Sequence, residues 1–302
     1  AVDGILIIDK SEGMTSHDVV ARVRRILSTK RIGHTGTLDP FATGVMVLLV
    51  GGATRFARFL DKDVKEYVAE VQFGFETDTG DGTGMRNAEC GMRNEEIEER
   101  ISTTDWDRVF TKFRGDILQT PPMYSAKKVE GKKLYELARK GLEVPRKPVP
   151  VSIRNLELLP NEISTPKSAI RIRVVCSAGT YIRTLAEEIG RDIGVGAHLT
   201  DLRRTAAGKF ALNQSVTIAA LSELASPAEA LLPADIAVSH LPEFGVRDDR
   251  VGPTRNGLAT GVDGEKYDAG QFVRMTGDGG NVIAVGIYDD EEKTVRPKVV
   301  LI

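Results

Sequence analysis

Residues 33–44 of the chain read GHTGTLDPFATG, and the apolar run VMVLLV follows at residues 45–50. The first stretch combines three glycines, three threonines and a proline with one imidazole and one carboxylate, which is typical of a turn-rich loop. The apolar run predicts a buried strand. Asp39 is therefore expected on a glycine-rich loop immediately before a core strand, where the backbone can approach a ligand closely. Pro40 stiffens that position, because the residue before a proline is pushed out of the helical region.

The same loop has plainer interpretations. Asp39 could only cap a turn, and His34 could be a histidine satisfied within the core. Two nucleotide-binding motifs are excluded, because no Gly-Lys-Ser/Thr closes the stretch as in a P-loop and no strand-GxGxxG-helix unit surrounds it. The residue types alone leave a functional carboxylate and a turn cap both open.

The overall composition is that of a soluble globular protein. Of the 302 residues, 41% are hydrophobic and 28% are charged, and the length suggests two domains. The net charge of −2 favours neither a nucleic acid nor a membrane as a partner. Cys90 and Cys176 match no metal or redox spacing, so no structural disulfide is expected and a reducing cytoplasm fits. The apolar run at residues 4–9 is too short for a signal peptide or a membrane span, and it predicts a strand.

Local charge differs from net charge in one segment. Residues 112–147 include ten basic and four acidic residues. The basic residues are Lys112, Arg114, Lys127, Lys128, Lys132, Lys133, Arg139, Lys140, Arg146 and Lys147. A basic patch on a nearly neutral chain is the footprint expected for binding a polyanion. The alternative is a solvated lysine face without a ligand.

Apolar periodicity predicts a mixture of strands and helices. Thr15 or Ser16 is expected to cap the first helix. The main later elements are predicted strands at 65–74, 149–159 and 169–176 and a predicted helix at 181–189. From residue 244 the chain is glycine-rich with short β-prone segments, which predict a small barrel. The boundary is placed near residue 240, so the predicted domains are 1–240 and 241–302.

The loop at 33–44 resembles the catalytic motif of the TruB family of tRNA pseudouridine synthases, Gly-His-Thr-Gly-x-Leu-Asp-Pro-x-Ala-Thr-Gly. Four further segments match the family pattern, in order, within residues 4–212. They are GILIIDKSEGMTS at 4–16, KEY at 65–67, PPMYSAKK at 121–128, and SAGTYIRTL at 177–185 continued by GAHLTDLRRT at 196–205. One departure is Ser11, where the family usually has a proline after the lysine. The C-terminal segment resembles the family's PUA-type RNA-binding domain by composition.

The resemblance implies a fold, a substrate and a reaction. The fold is α+β, a pseudouridine synthase fold with a central, mainly antiparallel sheet flanked by helices, followed by a small PUA-like β-barrel. The implied reaction converts uridine-55 in the T-loop of tRNA to pseudouridine. The bond between uracil and the ribose C1′ breaks, the base turns, and its C5 joins C1′. Nothing is oxidised, so no metal or other cofactor is expected.

The resemblance also implies a setting for the enzyme. Its partner is the T-stem-loop of tRNA, and it is expected to act as a cytoplasmic monomer without a membrane. The guide-RNA-dependent relatives often carry basic tails, and this chain ends in PKVVLI. A form that works without guide RNA is therefore expected.

Two catalytic residues follow from the family pattern. Asp39 matches the catalytic aspartate and Arg183 the arginine that pairs with it. The carboxylate would either attack C1′ as a nucleophile or take a proton from C2′, and the sequence does not choose between these steps. Both steps need an ionised Asp39, and a nearby cation lowers a carboxyl pKa.

Five further residues are expected to bind the flipped-out nucleotide. A uridine inside folded RNA must leave its stack to reach a buried carboxylate, and it is then held by stacking and edge hydrogen bonds. By match to the family, Tyr67 stacks on the base, Tyr181 and Leu202 line the pocket, and His34 supports the flipped conformation. The lysine of the first segment, Lys10, is included with them. Without the family pattern, Tyr67, Tyr181 and Leu202 are more typical of ordinary core residues.

Two other classes of function match parts of the sequence. A glycosidase would need paired carboxylates, and no second motif carries a proton donor beside Asp39. A non-catalytic RNA-binding or RNA-folding module is supported by the basic patch and the C-terminal barrel. The complete loop around Asp39 favours an enzyme.

Overall fold

The computed structural model describes residues 2–60, 64–125, 128–129, 132–138, 141, 144–264 and 267–301. The described strands are β1 Gly4–Lys10, β2 Ile32–His34, β3 Thr43–Val50, β4 Lys65–Phe73, β5 Phe75–Thr77, β6 Arg86–Glu89, β7 Gly115–Gln119, β8 Lys128–Val129, β9 Lys132–Lys133, β10 Val149–Leu159, β11 Ala169–Cys176, β12 Ala197–Ala207, β13 Phe210–Ala211, β14 Glu243–Gly245, β15 Thr260–Gly261, β16 Phe272–Thr276, β17 Val282–Asp289 and β18 Thr294–Val300. The described α-helices are α1 Ser16–Ile26, α2 Asn94–Thr103, α3 Trp106–Thr111, α4 Leu134–Ala138, α5 Ile182–Asp192, α6 Ile218–Glu223 and α7 Asp248–Arg255.

A large sheet carries the first part of the fold. Its strand order is β1-β3-β12-β4-β11-β10-β7, with β2 beside β3 and β13 beside β12. The described pairings are antiparallel except for β3 with β12, where Thr43 and Gly44 lie opposite Arg203 and Arg204. The predicted α+β fold with a mainly antiparallel central sheet is confirmed.

Strand β3 is buried on both faces, which explains its unbroken apolar sequence. Val45, Val47 and Leu49 pack into one apolar cluster, and Met46 and Leu48 pack into another on the opposite face. Strand β4 alternates between buried and half-buried positions, as a strand with one core face does. The catalytic-motif loop therefore leads directly into the most buried strand of the sheet.

Helix α1 begins where the sequence predicts. Thr15 is its N-cap, with the side-chain oxygen accepting from the backbone N–H of Asp18, and the Asp18 carboxylate accepts from the Thr15 N–H at 2.9 Å. This reciprocal capping box fixes the start of the helix and the turn that precedes it. The turn lies against the loop that holds Asp39, since the Gly13 N–H donates to the Pro40 carbonyl at 2.8 Å.

The C-terminal part forms a second sheet. Its strand order is β14-β16-β17-β18-β15, and its residues lie between Glu243 and Val300. One apolar cluster joins the two sheets, since Val282 and Val285 of β17 pack with Ile5 and Val45 of the large sheet. The division into domains at residue 240 stays a prediction. Among the described helices, none is long and apolar enough to cross a membrane.

Candidate active site

A cavity of about 250 Å³ opens beside the catalytic-motif loop. Its walls come from the loop at 35–39, from strands β4 and β12, and from the turn that begins α5. Of the seven residues predicted from sequence, five lie on these walls: Asp39, Tyr67, Tyr181, Arg183 and Leu202. Asp39 and Arg183, which are 144 positions apart in sequence, are thus brought together in one place.

Asp39 and Arg183 form a bidentate ion pair. The Arg183 Nε lies 2.9 Å from Oδ2 of Asp39, and its Nη2 donates to Oδ1 at 3.4 Å. The guanidinium is otherwise held by carbonyls, with Nη1 donating to Thr79 O at 2.7 Å and Nη2 to Tyr124 O at 2.7 Å. The Arg183 side chain is only 4% exposed, while that of Asp39 is 33% exposed. The arginine is therefore a fixed support, and the carboxylate faces the cavity.

The pKa of Asp39 is set by opposing effects. Burial raises the pKa above the ordinary value of an aspartate, and this effect is larger than the lowering by Arg183. The charge of Asp81 raises the pKa further. The expectation that the arginine lowers the pKa is correct for the arginine itself, but the net direction is upward. Arg183 therefore limits the upward shift that burial imposes.

Lys10 supports the loop from behind. Its side chain is fully buried, and its Nζ donates to three carbonyls, those of Ser11 at 2.9 Å, Met14 at 2.7 Å and Pro40 at 3.1 Å. Burial lowers the pKa of Lys10 to about 8. The predicted role of Lys10 in substrate binding stays a prediction. Its ammonium group is buried between the turn that precedes α1 and the Pro40 carbonyl of the motif.

Two more side chains, for which the sequence predicts no role, hold the loop. The Ser16 hydroxyl accepts from Leu38 N at 2.9 Å and donates to Leu38 O at 3.1 Å. The Arg204 guanidinium donates to Val45 O at 2.6 Å, Gly36 O at 3.1 Å and Thr37 O at 3.4 Å. Strand alternation could have indicated Arg204. Neighbouring residues of a strand point to opposite faces, so one residue of the adjacent pair Arg203-Arg204 had to face inward.

The remaining walls combine apolar surface with aromatic rings. Tyr67 on β4 and Leu202 on β12 are both almost completely buried, and burial raises the pKa of the Tyr67 hydroxyl, which stays neutral. Tyr181 is the N-cap residue of α5. Lys65, the first residue of β4, also lines the cavity and is buried. These groups give the cavity aromatic and aliphatic walls beside Asp39.

His34 lies next to the cavity rather than on its wall. It ends strand β2, and its neighbours Thr35 and Gly36 line the cavity. Burial lowers the pKa of His34, which favours the neutral ring at pH 7. Its Nδ1 is buried and has no hydrogen-bond partner among the described residues.

Gln119 fixes the start of helix α5, and the sequence analysis did not single it out. Its Oε1 accepts from Tyr181 N at 2.9 Å, and its Nε2 donates to Tyr181 O at 3.2 Å. The side chain is fully buried at the end of β7. Because Tyr181 is two residues from Arg183, this clamp sets the position of both the ring and the ion pair.

The predicted basic patch falls largely outside the described residues. Lys127 is not described, and Lys128, Lys132 and Lys133 are described only as backbone in β8 and β9. Three other members have partners within the protein, with Lys112 Nζ 2.7 Å from Asp192, Arg114 Nη1 2.8 Å from Asp107 and Arg146 Nη1 donating to Pro121 O at 3.0 Å. Binding of a polyanion by the patch stays a prediction.

The cavity thus holds one carboxylate paired with a buried arginine beside aromatic side chains, an arrangement suited to chemistry through a single aspartate. The family model described as "TruB family pseudouridylate synthase (N terminal domain)" matches residues 24–182. The model described as "tRNA pseudouridylate synthase B C-terminal domain" matches residues 183–239. The chain belongs to the TruB family of pseudouridylate synthases.

Individual relatives extend over most of the chain. A protein of Heliobacterium modesticaldum named tRNA pseudouridine synthase B is 42% identical over 301 residues, covering 99% of this chain and 95% of the relative. A protein of the same name from Symbiobacterium thermophilum is 47% identical over 261 residues, covering 86% of this chain and 84% of the relative. Among solved structures, a chain of a Cbf5-Nop10-Gar1 complex superposes with a TM-score of 0.71 at 27% identity, covering 99% of this chain and 85% of that one.

Proposed function

We propose that this chain isomerises uridine to pseudouridine in the T-loop of tRNA, at position 55. The observation that carries the proposal is the Asp39–Arg183 pair, which presents one carboxylate to a cavity lined by Tyr67, Tyr181 and Leu202. Membership of the TruB family and the tRNA pseudouridine synthase B name of its relatives support the reaction and the substrate.

Asp39 carries the chemical step in this proposal. The glycosidic bond between uracil N1 and ribose C1′ breaks, and the carboxylate either bonds to C1′ or removes the proton from C2′. The detached uracil turns and its C5 bonds to C1′, which displaces the carboxylate in the first case and is followed by return of a proton to C2′ in the second. The proton then leaves C5, and N1 gains one. Substrate and product are isomers, so the residues described here must supply only acid–base or nucleophilic chemistry and orientation.

The cavity supports the proposal that a flipped nucleotide is selected. A base that remains stacked inside folded RNA is not free to enter the cavity whose wall carries Asp39. A flipped uracil could stack on Tyr67 and pack against Leu202 and Tyr181, which replaces part of the stacking that it loses. Arg183 and Lys10 serve as positioning residues, since one holds the carboxylate and the other the backbone beside it.

The setting of the enzyme is part of the proposal. The T-stem-loop of tRNA is the partner that the chain recognises on its own, without guide RNA, in the cytoplasm and as a monomer. The Cbf5 neighbour was solved with Nop10 and Gar1. We propose that the present chain needs neither accessory protein, and that it needs no cofactor.

Replacing Asp39 tests the proposal. Asp39→Asn keeps the shape of the side chain and removes its charge, so tritium release from C5-labelled uridine in tRNA should fall at least 1,000-fold while tRNA binding persists. Asp278→Asn makes the same change at an exposed position of the C-terminal sheet and should leave the rate unchanged. Turnover by Asp39→Asn within tenfold of wild type would remove Asp39 from the catalytic role. Absence of pseudouridine from tRNA treated with the wild-type protein would refute the proposed function.

A further inference from the structure

Ser125 presents an unusual hydroxyl to the cavity. It lies in the loop that follows β7, and only 5% of its surface is exposed. Its Oγ is buried and has no hydrogen-bond partner among the described residues. Buried side-chain polar atoms almost always have a partner, because leaving one without costs the free energy of its lost hydration. An orphan hydroxyl on the wall of an active-site cavity therefore indicates a partner that arrives with the substrate.

The backbone places Ser125 next to the catalytic pair. The carbonyl of Tyr124 accepts from Arg183 Nη2 at 2.7 Å, and the same Nη2 donates to Asp39 Oδ1 at 3.4 Å. The peptide unit that leads into Ser125 is thus anchored on the guanidinium that orients Asp39. Any shift of this loop would also disturb Arg183, so the hydroxyl occupies a fixed place in the wall.

Other polar side chains of the wall are already engaged. Arg204 donates to three carbonyls of the motif segment, and Arg183 is divided between Asp39 and two carbonyls. Thr180 Oγ1 donates to Ser177 O at 2.9 Å. Ser125 differs from these groups in keeping its whole hydrogen-bonding capacity for a ligand.

We propose that the Ser125 hydroxyl hydrogen-bonds to the polar edge of the flipped uracil, a contact that rests on the proposed function. A hydroxyl has one donor and two acceptor sites, so it can pair with a uracil carbonyl or with the ring N–H. The base is detached from the ribose midway through the reaction and presents a different edge after turning. A partner that can both donate and accept can hold the ring before and after the turn, which a fixed donor such as arginine cannot do. Ser125 is a substrate-contacting residue on this account and takes no part in bond breaking.

The first test separates this role from a structural one. Ser125→Ala should lower the single-turnover rate on a T-stem-loop RNA about two- to tenfold, the range expected for one neutral hydrogen bond. Ser125→Thr keeps the hydroxyl and should recover most of the rate. The melting temperature of Ser125→Ala should equal or exceed that of wild type, because the hydroxyl has no protein partner to lose. Ser215→Ala, a half-buried serine outside the cavity, is the control and should leave the rate unchanged.

The second test asks whether the contact is with the base. In the Asp39→Asn background, Ser125→Ala should weaken binding of RNA that carries uridine at the target site by a similar two- to tenfold factor. Binding of the same RNA with an abasic ribose at that site should be unaffected. Equal weakening for both RNAs would overturn the proposal and assign the hydroxyl to the ribose or backbone. A Ser125→Ala enzyme with wild-type rate would also overturn it, and if wild type makes pseudouridine, the proposed function survives that outcome.

Discussion

At the scale of single residues, the candidate site centres on the Asp39 carboxylate, and its surroundings shift the pKa of that group in opposite directions. Burial and Asp81 raise the pKa of Asp39, while Arg183 lowers it. In the proposed role Asp39 is ionised when it acts on the ribose, so the charge of Arg183 would favour the reactive form. The fork geometry of the pair, with Nε and Nη2 each facing one oxygen, is available to arginine and not to lysine.

This balance predicts a shifted pH dependence. Because the pKa of Asp39 is raised, the rate should fall on the acid side at a pH above the ordinary aspartate pKa of about 4. Arg183→Gln removes the charge that opposes burial and should move this acid limb to still higher pH, whereas Arg183→Lys should move it less. The shift of the acid limb is measured by single-turnover rates across pH for the three proteins. Arg296→Gln, at an exposed position, is the control. Identical acid limbs in wild type and Arg183→Gln would contradict it.

Sequence predicted the residues that line the cavity better than the residues that support it. Asp39, Tyr67, Tyr181, Arg183 and Leu202 are expected through the family motifs and lie on one cavity. The substrate contact expected for Lys10 stays a prediction, and the structure adds that its buried ammonium group donates to backbone carbonyls. No sequence pattern marks Gln119, because a single glutamine before a proline-rich loop also occurs in ordinary surface segments. Its role depends on a contact with Tyr181 that only the fold creates.

At the scale of elements, the decisive contact is the parallel pairing of β3 with β12. It brings Arg204 beside the motif loop, and it requires a residue without a side chain at Gly44. The unbroken apolar run predicted β3 as a buried strand, but the periodicity of either strand alone could not predict that these two would pair. Pairing between distant strands is a property of the whole sheet, so local patterns do not contain it.

Gly44→Ala should therefore damage both stability and activity. The φ of Gly44 is +101°, and a Cβ at that position would lie 2.2 Å from the Arg204 carbonyl oxygen, which is backbone. We expect a loss of about 2–5 kcal/mol in the free energy of unfolding from strain and overpacking combined. Gly33→Ala, in the same motif, meets no atom within 4 Å and should change stability by less than about 1 kcal/mol. Urea unfolding of both variants measures the difference, and equal midpoints would contradict the prediction.

At the scale of the whole molecule, the two sheets are packed together rather than loosely linked. The 3-10 helix Gly51–Phe59 follows β3 directly, and Phe59 meets Phe272 of the C-terminal sheet edge to face at 5.3 Å between ring centroids. The Arg58 guanidinium lies 5.2 Å from the centre of the Phe272 ring. The sequence predicted a small C-terminal barrel from composition, but the apolar cluster shared between the sheets has no signature in either segment alone.

The last prediction concerns how the whole molecule holds RNA. The lysines at 127, 128, 132 and 133 form the densest part of the basic segment, and this prediction rests on their sequence. If they contact phosphates, changing all four to alanine should weaken tRNA binding and flatten its dependence on salt. Each lost phosphate contact removes about 0.9 from the log–log slope for a duplex and about 0.7 for a single strand.

The rate at saturating tRNA should change far less, because phosphate contacts position RNA while the cavity around Asp39 performs the reaction. The control replaces Arg154 and Lys167, two exposed basic residues outside this segment, with alanine. Binding isotherms at four or more salt concentrations, for wild type and both variants, give the slopes. If the fourfold variant keeps the wild-type slope and affinity, these lysines form a solvated face and the RNA must bind elsewhere on the molecule. If the control loses as much slope as the fourfold variant, the attraction is spread over the surface rather than concentrated in this segment.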